Sequence, residues 1–473
     1  MSTGKSGSGC YPLAAVISWR KGRFRGRNTG AYKKLDLLNG NLKKIYWKYL
    51  SASFGSALIM SIYSLVDAIV IGRYEGPEGT AAVVTFSPMW SMLFAFGLLM
   101  GIGGSVLMAQ KRGEGRKVDG DRCFTAAMLA SVVISALLFL TFFFFSKQLL
   151  TAFGARGHVL ELALKYAYWI TLAAPFFVIG QVLLSFVRND NRPFYTMTAA
   201  VSGGVFNIFG DIFFVFNCNM GISGAGLATA IGAVITFIVL VLHLFSKKNT
   251  LRFLKPKEIH WRYTIRSITV MGGSNFIIDL AMGFMAALYN NQILVYAGTA
   301  ALAVYGVINT LSVLIQTFGY AVGEASQAIM SVNYGAGRFD RISRTFRYAS
   351  VTSLLLGFLC ALPGECVPNV LIELFMKTTP DVLLIAPGIL RKYMISYILL
   401  IFNVNAGYYF QSIKKPVVSI WISLLRGILI GAVFIYLLPV LFGGSSIWYV
   451  APLTELLVFF YILKSLRKES AGV

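Results

Sequence analysis

The chain is poor in charge, poorer still in acids, and nearly without histidine. Of its 473 residues 13% are charged, only 19 are Asp or Glu, and three are His. Soluble domains carry about 25% charged residues, so a water-soluble globule is excluded at the outset. With His158, His243 and His260 as the only histidines, a histidine-based metal centre or catalytic relay has almost nothing to draw on. Cys10, Cys123, Cys218, Cys360 and Cys366 are odd in number and lack metal-ligand spacing. They read as small packing residues. The first 46 residues hold no 7–15-residue apolar stretch before a small-residue cleavage site, which argues against a secretory signal.

What is abundant is apolar length. The hydrophobic fraction is 57% and the mean hydropathy is +0.70. The apolar runs exceed 20 residues, which suits helices crossing roughly 30 Å of hydrocarbon; the strands of a membrane barrel would be short and alternating. Twelve spans are expected: 49–72, 80–109, 123–146, 161–187, 194–217, 224–246, 267–289, 298–332, 347–367, 382–411, 417–438 and 445–465. The chain thereby divides into a basic tail (1–46, expected disordered), a first lobe (47–248), a basic linker (249–266), a second lobe (267–465) and a short C-terminal tail (466–473).

The net charge of +23 would suit a nucleic-acid binder, but its distribution points to a membrane. If the N-terminus is cytoplasmic, 34 of the 42 Lys and Arg fall in the termini and in the loops on that side. The opposite loops hold Arg73, Lys147, Arg156 and Lys377. The positive-inside rule therefore expects both termini in the cytoplasm, with a bacterial inner membrane as the location and no nucleic-acid partner.

The chain also repeats itself. "GIGGSVLMAQKRGEGR" (101–116) matches "GEASQAIMSVNYGAGR" (323–338) at an offset of 222, and "NRP" (191–193) echoes "KKP" (414–416) at 223. Each repeat holds an even number of spans, so the halves share one topology about an axis along the membrane normal. Two such lobes suggest alternating access. A channel would want a filter-like loop, and a membrane-embedded enzyme a nucleophile–base or metal constellation; the sequence offers neither.

Acids inside these spans cost roughly 3 kcal/mol each by insertion scales, so each needs a reason. The first lobe places Asp67 in span one and Asp211 in span five, with Asn207 one turn before Asp211. At 1.5 Å per residue both acids lie roughly 8–9 Å from the outer ends of their spans, and Tyr166 and Thr229 fall at a similar depth. Hard oxygens of this kind suit a proton or Na⁺, and two carboxylates in one apolar layer repel unless a cation is held between them. The second lobe carries Asp279, Glu324 and Arg426. Either acid could pair with Arg426, or could face a substrate path.

"YSLVDAIVIG" (63–72), "GGSVLMAQKRGEG", "NIFGD…GISGAGLATA" (207–230) and "NYGAGR" (333–338) resemble the multidrug and toxic compound extrusion (MATE) transporters of prokaryotic type, over about residues 45–465. The resemblance implies an all-α membrane protein with two six-helix bundles in a V. It implies export of organic, often cationic, compounds in exchange for H⁺ or Na⁺, with no other cofactor and no enzymatic activity, by an expected monomer in the bilayer. It also implies a coupling site at Asp67, Asn207, Asp211, Thr229 and Tyr166. A lipid or lipid-linked oligosaccharide flippase of the same superfamily is the alternative, though it would favour a cavity lined by Arg and Lys. Two departures stand out. Span one lacks the proline whose bend several relatives use, leaving Gly55 and its serine neighbours to bend it. Span ten carries Asn403 and Asn405 where some relatives carry an acid.

Overall fold

The computed structural model describes residues 36–375 and 379–470, and these are helical, with no strand among them. The expected disordered tail falls largely outside the described residues, as do Lys377 and residues 471–473. Among the described residues twelve helical spans are long and apolar enough to cross a membrane. In the first repeat they are α1 (Leu42–Tyr74), α2 (Gly76–Gly113), α3 (Lys117–Ala152), α4 (Gly157–Asn189), α5 (Pro193–Ile212) and α6 (Ile222–Leu244). The second repeat opens with α7 (Trp261–Tyr296), α8 (Gly298–Gly335) and α9 (Phe339–Cys366), followed by a short α10 (Pro368–Phe375). The tenth span is α11 (Pro380–Met394) continued by α12 (Ser396–Ser412), the eleventh is α13 (Pro416–Leu424) and α14 (Ile430–Phe442), and α15 (Val450–Ser470) is the last.

Most helices outrun their apolar segments. Span nine begins at Phe339, so Arg341, Arg344 and Arg347 are helical and not in a loop. A hydropathy window sees only the stretch that lipid requires, whereas backbone hydrogen bonding continues until a cap or a proline stops it. The same reasoning corrects the tail. Residues 36–41 form a turn closed by the Asp36 carboxylate, which accepts from the Leu38 and Asn39 amides, and Asn41 caps α1 through the Lys44 amide. Leu37 is buried, and its carbonyl accepts from Asn333 and Arg341 of the second lobe. The linker is likewise ordered: Leu251 and Ile259 pack into the inner core of the first lobe.

The repeat dictates the packing. Helix α1 packs on α5 and α7 on α13, each within its own lobe. Across the lobes α1 packs on α8 while α7 packs on α2, so the first helix of each repeat lies against the second helix of the other. The matched glycine motifs sit where the lobes meet. A Cβ on Gly113 would stand 2.1 Å from the Val332 carbonyl oxygen, and one on Gly335 would stand 1.9 Å from that of Gln110. These contacts are images of each other under the 222-residue offset. Small residues let helix backbones approach where lipid gives no hydrophobic drive to association.

The absence of proline from α1 leaves a continuous helix. Gly55 serves packing instead, since a Cβ there would meet the Met197 sulfur of α5 at 2.5 Å. Helices α5 and the eleventh span, which correspond in the repeat, each carry a π-helical turn, at Phe213–Asn217 and Leu425–Leu429. The first begins two residues after Asp211 and the second contains Arg426. Single π turns of this kind re-aim side chains and gather at functional sites.

Candidate cation site and adjoining cavity

Four helices bring the first-lobe residues together. The Tyr166 hydroxyl on α4 donates to Asp67 Oδ2 on α1 at 3.1 Å. On α5 and α6, Asn207 Nδ2 donates to Thr229 Oγ1 at 2.9 Å and reaches Asp211 Oδ1 at 3.5 Å. Close approach of α5 to α6 makes the second contact possible. Gly203 and Gly232 face each other there, and a Cβ on Gly203 would lie 2.4 Å from the Gly232 carbonyl oxygen. Asp67, Asp211, Asn207, Thr229 and Tyr166 are all buried, and the two carboxylates lie within electrostatic reach of each other. Phe86 of α2 backs Tyr166 edge-on at 5.4 Å.

The site keeps unused acceptors. Asp67 Oδ1, Asp211 Oδ2 and Asn207 Oδ1 are buried without a hydrogen-bond partner, and neither acid takes part in an ion pair among the described residues. Buried acceptors are costly when unpaired, so these three oxygens are a donor set whose chemistry suits H⁺ or a hard cation. Among the described residues no group of three or more His, Cys, Asp or Glu is arranged to hold a metal ion. Two carboxylates and neutral oxygens are what the site offers.

A cleft whose empty space, open solvent included, is about 680 Å³ lies beside this set. Met60, Tyr63, Phe94, Phe176, Phe177 and Gln181 line it together with Asn207 and Thr229. Tyr63 was missed in the sequence. It sits one turn before Asp67 and within electrostatic reach of both acids, and its i, i+4 spacing was the available signal.

The second lobe departs from expectation. Neither Asp279 nor Glu324 pairs with Arg426. Arg426 Nε donates to Glu455 Oε1 of α15 at 2.6 Å, and its guanidinium also reaches Gln316 Oε1 at 2.6 Å. Glu455 Oε2 accepts from Asn403 at 2.7 Å, which gives the span-ten amide a partner where an acid was absent. Asp279 accepts from the Tyr320 hydroxyl at 2.9 Å. Glu324 faces the other lobe and holds Arg188 of α4 at 2.6 Å. Sequence reasoning missed both. Arg188 falls just beyond the expected fourth span, where hydropathy treats charge as interfacial, whereas Glu455 stands in the middle of the expected twelfth span and was available as an acid in an apolar run.

The Arg188–Glu324 pair belongs to a seam at the ends where α2 and α8 finish. There Gln110 Nε2 donates to the Ser412 carbonyl at 2.9 Å, and Lys414 pairs with Glu114 at 2.6 Å. Beneath the first lobe, Arg112 pairs with Asp121 and Asp190. Asp190 also contacts His243 at 3.3 Å and accepts from the Thr250 hydroxyl. Burial alone would raise the Asp190 carboxyl. The hydrogen bonds from His243 and Thr250 and the charge of Arg112 outweigh it and hold the group below its ordinary value. His243 is thus a buried partner in a structural network.

Two pseudo-symmetric six-helix lobes, a buried acid site in one of them and an ion-paired seam between them are the frame of a polytopic membrane transporter. The chain belongs to the MatE family: the family model matches twice, at residues 52–213 and 276–437, and the second match is displaced by 224 residues, as the internal repeat requires. Probable multidrug resistance protein YoeA of Bacillus subtilis is 26% identical over 364 residues, covering 73% of this chain and 75% of that protein. Multidrug export protein MepA of Staphylococcus haemolyticus is 23% identical over 343 residues, covering 72% and 75%. In fold, a MOP superfamily transporter from Pyrococcus furiosus superposes with a TM-score of 0.86 at 21% identity, over 94% of this chain and 99% of that one. An outward-facing multidrug resistance MATE family transporter gives the same values.

Proposed function

We propose that the chain is a secondary-active antiporter that exports organic, often cationic, compounds in exchange for H⁺ or Na⁺. It works as a monomer in a bacterial inner membrane, with both termini cytoplasmic. The observation that carries this reading is the set of unpartnered oxygens of Asp67, Asn207 and Asp211 beside a cavity walled by aromatic rings. Flat cations bind aromatic faces, and Met60 adds an adaptable wall. Multidrug export by the relatives YoeA and MepA agrees with such a cavity.

Coupling follows from the arrangement. Asp67 and Tyr166 sit on helices α1 and α4, both of which also reach the seam: α1 packs on α8, and Arg188 of α4 holds Glu324. A cation bound between Asp67 and Asp211 removes their repulsion and favours whichever lobe arrangement keeps the carboxylates close. A coupling ion acts only by binding one arrangement better than the other. The seam is closed at the end that the charge distribution places in the cytoplasm, so the present arrangement is the one that releases cargo outward and takes up the cation.

A flippase for lipid-linked phosphates would want free cationic groups among its spans. Arg188 and Arg426 are each neutralised by a glutamate, which favours the export reading. The test is purified protein in liposomes with a fluorescent organic cation, under separate pH and Na⁺ gradients. One gradient should drive accumulation. If neither does, while a labelled lipid-linked phosphate is moved across the bilayer, the flippase reading replaces it.

A further inference from the structure

We propose that the segment joining α6 to α7 is a binding surface for the headgroups of anionic phospholipids in the adjacent leaflet. Between residues 247 and 266 stand Lys247, Lys248, Arg252, Lys255, Lys257, Arg262 and Arg266, all exposed, against one acid, Glu258. Arg252, Lys255, Lys257, Arg262 and Arg266 form no ion pair among the described residues, whereas Arg112, Arg116 and Arg188 at the same end of the molecule are paired.

Large rings interleave with these cations. Phe245 is 82% exposed, Phe253 56% and Tyr263 76%. Rings so bare are unfavourable in water and favourable at a membrane interface, where an aromatic body sits among headgroups and acyl ends. The segment is also held in place. Leu251 and Ile259 are buried in the first lobe's inner core, and Thr250 is bound to Asp190 and Arg112. The cations therefore stand on a rigid shelf, which lowers the entropy lost when a headgroup binds.

Helix α7 sets the depth. Arg262, Arg266 and Val270 follow one another at four-residue intervals on one exposed stripe. Val270 lies on the lipid-facing apolar part, so the guanidinium-bearing positions stand roughly 6 and 12 Å further along the axis, at headgroup level. Phosphate is the group there that five unpaired cations recognise, and a net negative headgroup is required to favour binding over the zwitterionic lipids that also carry phosphate. This surface is independent of the export reading and depends only on the chain spanning a bilayer.

The full-length protein in nanodiscs of equimolar phosphatidylcholine and phosphatidylglycerol supplies the test, with retained lipid counted by native mass spectrometry. The wild type should retain phosphatidylglycerol preferentially. The triple variant Arg252→Gln/Lys255→Gln/Lys257→Gln should lose at least tenfold of that preference, since each cation near such a surface is worth about fivefold. Phe253→Ser should weaken retention of both lipids, and Lys147→Gln at the other end of the spans should change nothing. A triple variant with wild-type preference would overturn the proposal. So would a wild type indifferent to headgroup charge that instead binds polyglutamate in a salt-sensitive way, which would make an acidic protein the partner.

Discussion

A carboxylate in hydrocarbon costs roughly 3 kcal/mol, and this chain meets that cost in two ways. Glu324 and Glu455 each hold an arginine at 2.6 Å, so their charge is neutralised permanently. Asp67 and Asp211 have only neutral partners and keep unused oxygens, so they remain free to take a cation. Removing a neutral ligand should weaken that cation: Asn207→Ala is expected to raise the H⁺ or Na⁺ concentration for half-maximal transport about tenfold, within the range of one buried hydrogen bond to a charged group. A titration of initial uptake rates checks it. Asp190 has a different task. Its folded carboxyl is held low, so its stabilisation is fully present above the ordinary carboxylate value and is lost as pH falls through the lower folded one. Asp190→Asn should melt earlier than wild type at neutral pH, and the gap should close below about pH 4 in a thermal-shift series. Asp67, Asp211 and their neighbours were legible in the sequence because an acid or amide stands out in an apolar run. Arg188 was not, since charge near a span end looks interfacial and only tertiary packing shows what it touches. Glu455, midway along the twelfth span, carried the same signal as the first-lobe acids, but its arginine partner is set by packing.

At the scale of elements, the twelve spans and their order could be read from apolar length, whereas their ends could not. Backbone hydrogen bonds carry helices beyond the lipid-facing stretch, as in α9 from Phe339. The repeat of glycine motifs was visible, but not its meaning. The structure shows that Gly113 and Gly335 are the points where α2 and α8 touch backbone to backbone. Glycine there admits a contact that any Cβ would block. Gly335→Ala should therefore disfavour the arrangement with this end closed by about 1–3 kcal/mol, a shift of roughly 5- to 150-fold. The measurement is thiol labelling of Ser331→Cys, buried at the same seam, in a background without other accessible cysteines. Labelling from the side of the membrane on which this seam lies should speed up in the Gly335→Ala protein. Glu324→Gln should act in the same direction, because it leaves Arg188 buried without its counter-charge.

Across the whole molecule, the two halves share a fold but not an electrostatic design. The first lobe holds an acid pair open to cations, and the second holds Arg426 clasped between Glu455 and Gln316. Helices α1 and α7 lie across the seam in mirrored fashion, so a change at Asp67 on α1 is felt where α1 meets the other lobe. The central claim is that this one first-lobe site couples cation movement to export. The most direct measurement is gradient-driven accumulation of a fluorescent organic cation in liposomes holding Asp67→Asn, beside gradient-free exchange of the same compound by the same protein. Driven accumulation should fall at least tenfold while exchange persists. Wild-type accumulation by Asp67→Asn under the driving gradient would contradict that claim.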